Sequence, residues 1–142
     1  MTIARLISDR STDMISCQIG TLVSDALQLL AQHRIGALPV MDGLNVAGIF
    51  SERDMVYRLA EHGPAMLELT VGRVMTSPVI SVEPATSVLN ALSLMTMRRI
   101  RHLPVLSAGR MVAFISIGDL VKYRIERIQS EADAMREYIQ MA

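Results

Sequence analysis

The sequence predicts a mixed α/β (α+β) fold: two β-α-β-β-α units packed about a pseudo-two-fold axis, followed by a long C-terminal helix. Three observations predict it. The chain repeats itself in register, strand-like and helix-like patterns alternate in the same order in both copies, and the length bounds the size of the core. At 142 residues the chain can bury one sizeable core or two small cores sharing an interface, but not two large independent domains.

A shift of 65 positions lays residues 11–59 over 76–124 without a gap and gives 15 identities in 49 positions, against roughly three or four from composition alone. Ile15-Ser16 meets Ile80-Ser81, Ala26-Leu27-x-Leu29 meets Ala91-Leu92-x-Leu94, and Arg34-Ile35 meets Arg99-Ile100. Leu38-Pro39-Val40 meets Leu103-Pro104-Val105, and Ser51-x-x-Asp54-x-Val56 meets Ser116-x-x-Asp119-x-Val121.

Each copy opens with a short strand, Met14 to Cys17 or Val79 to Val82. Gly20-Thr21 or Pro84-Ala85-Thr86 then leads into a helix, about 22–33 or 87–99, opened by a Thr or Ser cap. A strand at Leu38 to Met41 or Leu103 to Leu106 follows. A polar turn separates it from a second strand, Val46 to Phe50 or Met111 to Ile115, and a helix starts at Ser51 or Ser116. His62-Gly63-Pro64 ends the first copy inside a linker over 61–69. The expected division is 1–69 for the first repeat with its leading segment and linker, 70–127 for the second, and 128–142 for a helical extension. Neither repeat buries its sheet and helices alone, so clefts related by the axis are expected between them.

Composition narrows the function. Apolar residues form 51% of the chain and charged ones 20%, which excludes intrinsic disorder. Fourteen basic residues balance fourteen acidic ones, so there is no basic excess for nucleic acid. The single cysteine, Cys17, allows no internal disulfide; it aligns with Val82 on a strand and is expected to be a small core residue. No stretch reaches the roughly 18 apolar residues of a membrane span. A cytoplasmic protein that engages neither nucleic acid nor membrane is expected.

The Ser51-Glu52-Arg53-Asp54 and Ser116-Ile117-Gly118-Asp119 junctions can do two things. A serine that ends a strand and opens a helix turns N–H groups and a hydroxyl toward a phosphate, and an aspartate three residues on offers acceptors for a ribose diol. The same spacing is also a helix capping box. From Pro84 to Gly118 there is no acidic residue, while Arg98, Arg99, Arg101, His102 and Arg110 lie there. This is a local positive field, and Arg forks suit phosphate oxygens, while Arg98 and Arg99 also suit a basic helix end. Catalysis and metal binding are not expected. His102, Ser116 and Asp119 come with no oxyanion loop, and His33, His62 and His102 lack close ligand spacing.

Tandem β-α-β-β-α units, each with a Leu-Pro-Val strand and an apolar-Ser-x-x-Asp junction, resemble a CBS-domain pair, the Bateman module named after cystathionine β-synthase, in its stand-alone bacterial form. The likeness covers residues 8–127, so no attached enzyme or transporter is expected. It implies a non-enzymatic regulatory protein that binds an adenosine nucleotide between the repeats and senses energy or metabolite state. AMP is the foremost ligand, with ADP, ATP, NAD(H) or S-adenosylmethionine as others, and no metal. It also implies a homodimer and an unidentified target protein that reads a change of shape. The alternative is a ligand-free dimerisation or docking scaffold with vestigial clefts.

Residue by residue, the resemblance implies that backbone around Ala37, Leu38 and Pro39, around Leu103 and Pro104, and in the first strands at Met14 and Thr76-Ser77-Pro78-Val79 reads the base. Asp54 and Asp119 then hold ribose, Ser51 and Ser116 open the phosphate-facing helices, and Arg53, Gly118, Arg101 and His102 lie where phosphate is met. The repeats differ: Gly36-Ala37 stands where the second has Arg101-His102, and Arg53 where the second has Gly118. One cleft is therefore expected around Arg101, His102, Ser116 and Asp119, and a less charged one around Gly36, Ala37, Ser51 and Asp54.

The helices over 22–31 and 87–97 are apolar nearly all round, which points to Met-rich helices at a dimer seam. Val121, Ile125, Ile128, Ala132, Met135 and Ile139 recur at a 4-3-4-3-4 spacing. The last helix is thus expected to run to about residue 140, with its seam against a partner subunit or folded back on its own domain.

Overall fold

The computed structural model describes residues 1–8, 10 and 14–141. In chain order it contains α1 (Ile3–Ile7), β1 (Cys17–Gln18), α2 (Val23–His33), β2 (Ala37–Asp42), β3 (Asn45–Ser51) and α3 (Glu52–His62). A 3-10 turn (Gly63–Glu68), α4 (Val71–Val74), α5 (Val88–Arg98), β4 (His102–Ser107), β5 (Arg110–Ser116) and α6 (Ile117–Met141) complete it. Among the described residues no helix is long and apolar enough to cross a membrane.

The two copies build matching hairpins. Leu38 pairs with Phe50 and Val40 with Gly48, and the same register gives Leu103 with Ile115 and Val105 with Ala113. Both helices that precede them end alike: Arg34 and Arg99 adopt the left-handed conformation, φ 53° and 54°. The next N–H, of Ile35 or Ile100, returns to the carbonyl of Leu30 or Met95. The repeated Arg-Ile pair is thus a helix stop.

Three local expectations are corrected. The first strands are shorter than 14–17 and 79–82: one is β1, pairing with β2 from Val40, and the other is a single parallel bridge between Val82 and Val105. Pro39 and Pro104, beside which each ladder would continue, carry no N–H for it. Thr21 does not cap α2, whose N-cap is Leu22; its hydroxyl accepts from the Gln18 N–H and closes the turn before it, as Thr86 does for Glu83. Ser87 does cap α5, accepting from the Asn90 N–H at 3.0 Å. The linker over 61–69 is mostly the 3-10 turn, whose Met66 is fully buried.

Two cores result. Cys17, Val23, Ala26, Leu30, Leu38, Val40 and Phe50 form one, and their repeat partners Val82, Val88, Ala91, Met95, Leu103, Val105 and Ile115 form the other. Each core is closed by a helix from elsewhere in the chain. Ile3 and Leu6 of α1 join the second core, and Val71 and Val74 of α4 join the first. Backbone bonds repeat the exchange: Ile3 N–H donates to Thr86 O, and Val71 N–H to Thr21 O. The core memberships therefore cut across a boundary at 69/70. A leading helix has only two side chains to bury, and it finds its apolar surface on the other repeat.

Candidate functional site

Among the described residues, clefts of about 440 and 600 Å³ lie between the repeats, inside the roughly 300–1,000 Å³ range of small-molecule sites. The first holds Ser51, Arg53 and Asp54 at the start of α3, Thr76, Pro78 and Val79 from the leading segment of the second repeat, and Arg98 to His102 from the end of α5 and the entry to β4. The second holds Arg10, Met14, Arg34, Ala37, Phe114 and Asp119. Gly36, His102 and Ser116 line both and form the wall between them.

This grouping corrects the expected one. Arg101 lies in the cleft of Asp54, not in that of Asp119, and Arg53 joins it there. The cause is the pseudo-two-fold packing, which sets the end of α5 and the entry to β4 against the start of α3. There the Arg53 guanidinium donates to the Arg99 carbonyl at 2.8 Å. Arg98 ends α5 and Arg99 caps it, at the basic helix end expected of them, yet both also line the Asp54 cleft.

The two readings of the Ser-x-x-Asp motif are compatible, because a carboxylate has two oxygens. Asp54 Oδ2 accepts from the Ser51 N–H at 2.9 Å, and Asp119 Oδ2 from the Ser116 N–H at 2.8 Å, while each serine hydroxyl accepts from the aspartate N–H. Those are capping boxes. The other oxygen of each carboxylate is free of the cap: Thr76 Oγ1 donates to Asp54 Oδ1 at 2.8 Å, and Arg10 Nη2 lies 2.7 Å from Asp119 Oδ1. Burial opposes ionisation of Asp119, but the Ser116 N–H and the Arg10 guanidinium outweigh it and hold the carboxyl below its ordinary value.

The helix starts offer fewer N–H groups than expected. The Glu52 N–H already donates to Gly36 O at 3.0 Å and the Ile117 N–H to Arg101 O at 2.8 Å. The Asp54 and Asp119 N–H groups are used in the caps as well. His102 stacks on Phe114 with ring centroids 5.6 Å apart. Burial lowers its pKa, against the opposing pull of Asp119 and Glu52, so the shared wall favours a neutral imidazole.

Six expected residues line neither cleft. Leu38 and Leu103 are fully buried in the cores, Pro39 and Pro104 are buried beside them, and Ser77 and Gly118 lie outside both linings. Alternation explains the leucines: in each hairpin strand the leucine faces the helices and cannot also face the cleft. Arg10 and Phe114 were not singled out in the sequence. Phe114 aligns with Ile49, which lines the other cleft, so the repeat carried a signal for it; Arg10 precedes the aligned segment and left none. Among the described residues no three His, Cys, Asp or Glu side chains converge as a metal site.

A family model described as "CBS domain" matches residues 7–61 and again 71–126. The mitochondrial CBS domain-containing protein CBSX3 of Arabidopsis thaliana is 36% identical over 129 residues, covering 87% of this chain. The chain spans 63% of that relative's length. A CBS-domain-containing protein of Agrobacterium tumefaciens superposes with a TM-score of 0.83 at 34% identity, over 87% of this chain and 99% of its own. CBSX2, solved in complex with AMP, superposes with a TM-score of 0.74 at 25% identity, over 88% of this chain and 96% of its own.

Proposed function

The chain belongs to the CBS-domain family and carries two CBS domains, and from that premise we propose that it is a non-catalytic regulatory protein whose Asp54 cleft binds an adenosine nucleotide. The observation that carries this reading is a convergence. One cleft gathers a carboxylate oxygen left over from a helix cap, an apolar wall of Val79, Ile80 and Ile100, and four arginines, Arg53, Arg98, Arg99 and Arg101. A ribose diol suits the first, a purine the second and phosphate oxygens the third. The complex of CBSX2 with AMP supports the ligand class, and AMP is the first choice ahead of ADP, ATP and NAD(H).

Binding would draw the start of α3 and the entry to β4 together across the axis, a shape change that a target protein can read. A homodimer of modules belongs to the same reading. Leu22, Leu27, Leu89 and Met97 are exposed on or beside α2 and α5, the helices whose apolar surface exceeds what one sheet can cover.

Calorimetric titration of the purified protein with adenosine, AMP, ADP, ATP and NAD(H) tests it, after heat release and mass spectrometry of any co-purifying ligand. AMP bound more tightly than adenosine is the expected result. No binding of any of them at millimolar concentration would overturn the nucleotide reading in favour of a docking scaffold.

A further inference from the structure

Helix α6 is 25 residues long, about 37 Å, and only its beginning is held by the rest of the chain. Leu120 is buried in the second core, with Ile117 and Tyr123 packed beside it. From Ile125 to Met141 every residue except Ala132 is exposed. Helices in proteins draw most of their stability from packing an apolar face, and this one leaves large apolar side chains uncovered: Ile125 is 61% exposed, Ile128 51%, Met135 60% and Ile139 66%. Folding back onto its own domain is therefore not what covers them.

With Val121 and Ala132 these residues keep a 3.5-residue repeat, the narrow seam by which one helix packs along another of the same period. We propose that α6 pairs, parallel and in register, with α6 of a second copy of this chain. Charge selects the orientation. Taking Ile125, Ala132 and Ile139 as a positions and Val121, Ile128 and Met135 as d positions, the flanking g positions hold Arg124 and Glu131, and the e positions Lys122, Gln129 and Arg136. A parallel pair sets Glu131 beside the partner subunit's Arg136, twice by symmetry, and Arg124 beside a neutral glutamine.

An antiparallel pair with the seams fully overlapped sets Lys122 beside Arg136 and Glu131 beside its own copy, like charge on like. Sliding the antiparallel pair until Arg124 meets Glu131 carries Ile139 past the beginning of the partner helix.

Sedimentation equilibrium of the full chain, of a truncation after Arg127, and of Glu131→Arg, Arg136→Glu and the double swap tests the pairing. Truncation is expected to raise the dimer dissociation constant roughly tenfold or more. Each single swap should raise it roughly three- to tenfold, with recovery in the double swap. Met135→Cys, with Cys17→Val to remove the native thiol, should cross-link to itself under mild oxidation. An unchanged constant on truncation would overturn the pairing while leaving a dimer through α2 and α5 standing. Cross-linking only between Val121→Cys and Ile139→Cys chains would overturn its orientation. Nucleotide plays no part in these readouts, so they stand apart from the ligand reading.

Discussion

Arg10 Nη2 sits 2.7 Å from Asp119 Oδ1, while the equivalent oxygen of Asp54 meets a neutral hydroxyl, Thr76 Oγ1, at 2.8 Å. The repeats thus present the same carboxylate to two clefts in different electrostatic states. On the proposed reading, a ribose hydroxyl would displace another hydroxyl at Asp54 and a guanidinium at Asp119.

The first prediction concerns acid stability. Asp119 has a folded-state pKa below its ordinary value, so its contribution is present above the usual aspartate range near pH 4 and is lost as pH falls through the folded value. Arg10→Ala should melt below the wild type at pH 7, and the gap should narrow progressively as pH drops below the ordinary aspartate range near 4. Melting curves across that range check it; a constant gap would show that the ion pair adds nothing to folding.

Ligand binding should divide between the two aspartates. Asp54→Ala is expected to weaken AMP binding by roughly 1.5–3 kcal/mol, the range of hydrogen bonds to a charged group, and Asp119→Ala to leave the first binding event nearly unchanged. Arg101→Ala should weaken AMP by a similar amount while sparing adenosine. Calorimetry that finds the loss at Asp119 instead, or equal losses of AMP and adenosine on removing Arg101, would reassign the cleft.

Gly48 marks a close approach that the second repeat does not make in the same way. A Cβ built there would lie 2.6 Å from Met75 Sδ and 2.8 Å from Thr76 O. Thr76 and Ile49 exchange both backbone bonds, at 2.8 and 3.0 Å, which ties that segment to β3. Gly48→Ala should therefore destabilise by roughly 1–3 kcal/mol in urea. Its repeat partner already is alanine, and Ala113→Gly should cost no more than about 1 kcal/mol.

Cys17 is 5% exposed, and burial pushes its thiol up to about 11. Thiolate is the reactive form. At pH 8 an aromatic disulfide reagent should react with Cys17 at the rate of opening or unfolding and much faster in urea; rapid reaction with the native protein would contradict its place in the core.

The repeat, the two hairpins, the capping boxes and the length of α6 were legible because each is a local matter. Ser51 and Asp54 are three residues apart, and a helix start brings such a pair together whatever the rest of the chain does. Leu38 and Leu103 show the limit of that legibility: the motif marked their place in the fold, but strand alternation turned them into the cores. Which arginine serves which aspartate was decided only by tertiary structure. Arg101 meets the Asp54 cleft because the pseudo-two-fold axis sets the end of α5 and the entry to β4 against the start of α3, and α1 closes the second core and α4 the first because each short helix finds its apolar surface on the other repeat. Arg10 reaches Asp119 across more than a hundred residues of sequence. Sequence spacing encodes contacts within a turn of helix or a hairpin; it carries no distance across a packing axis, which is set by how two apolar surfaces fit.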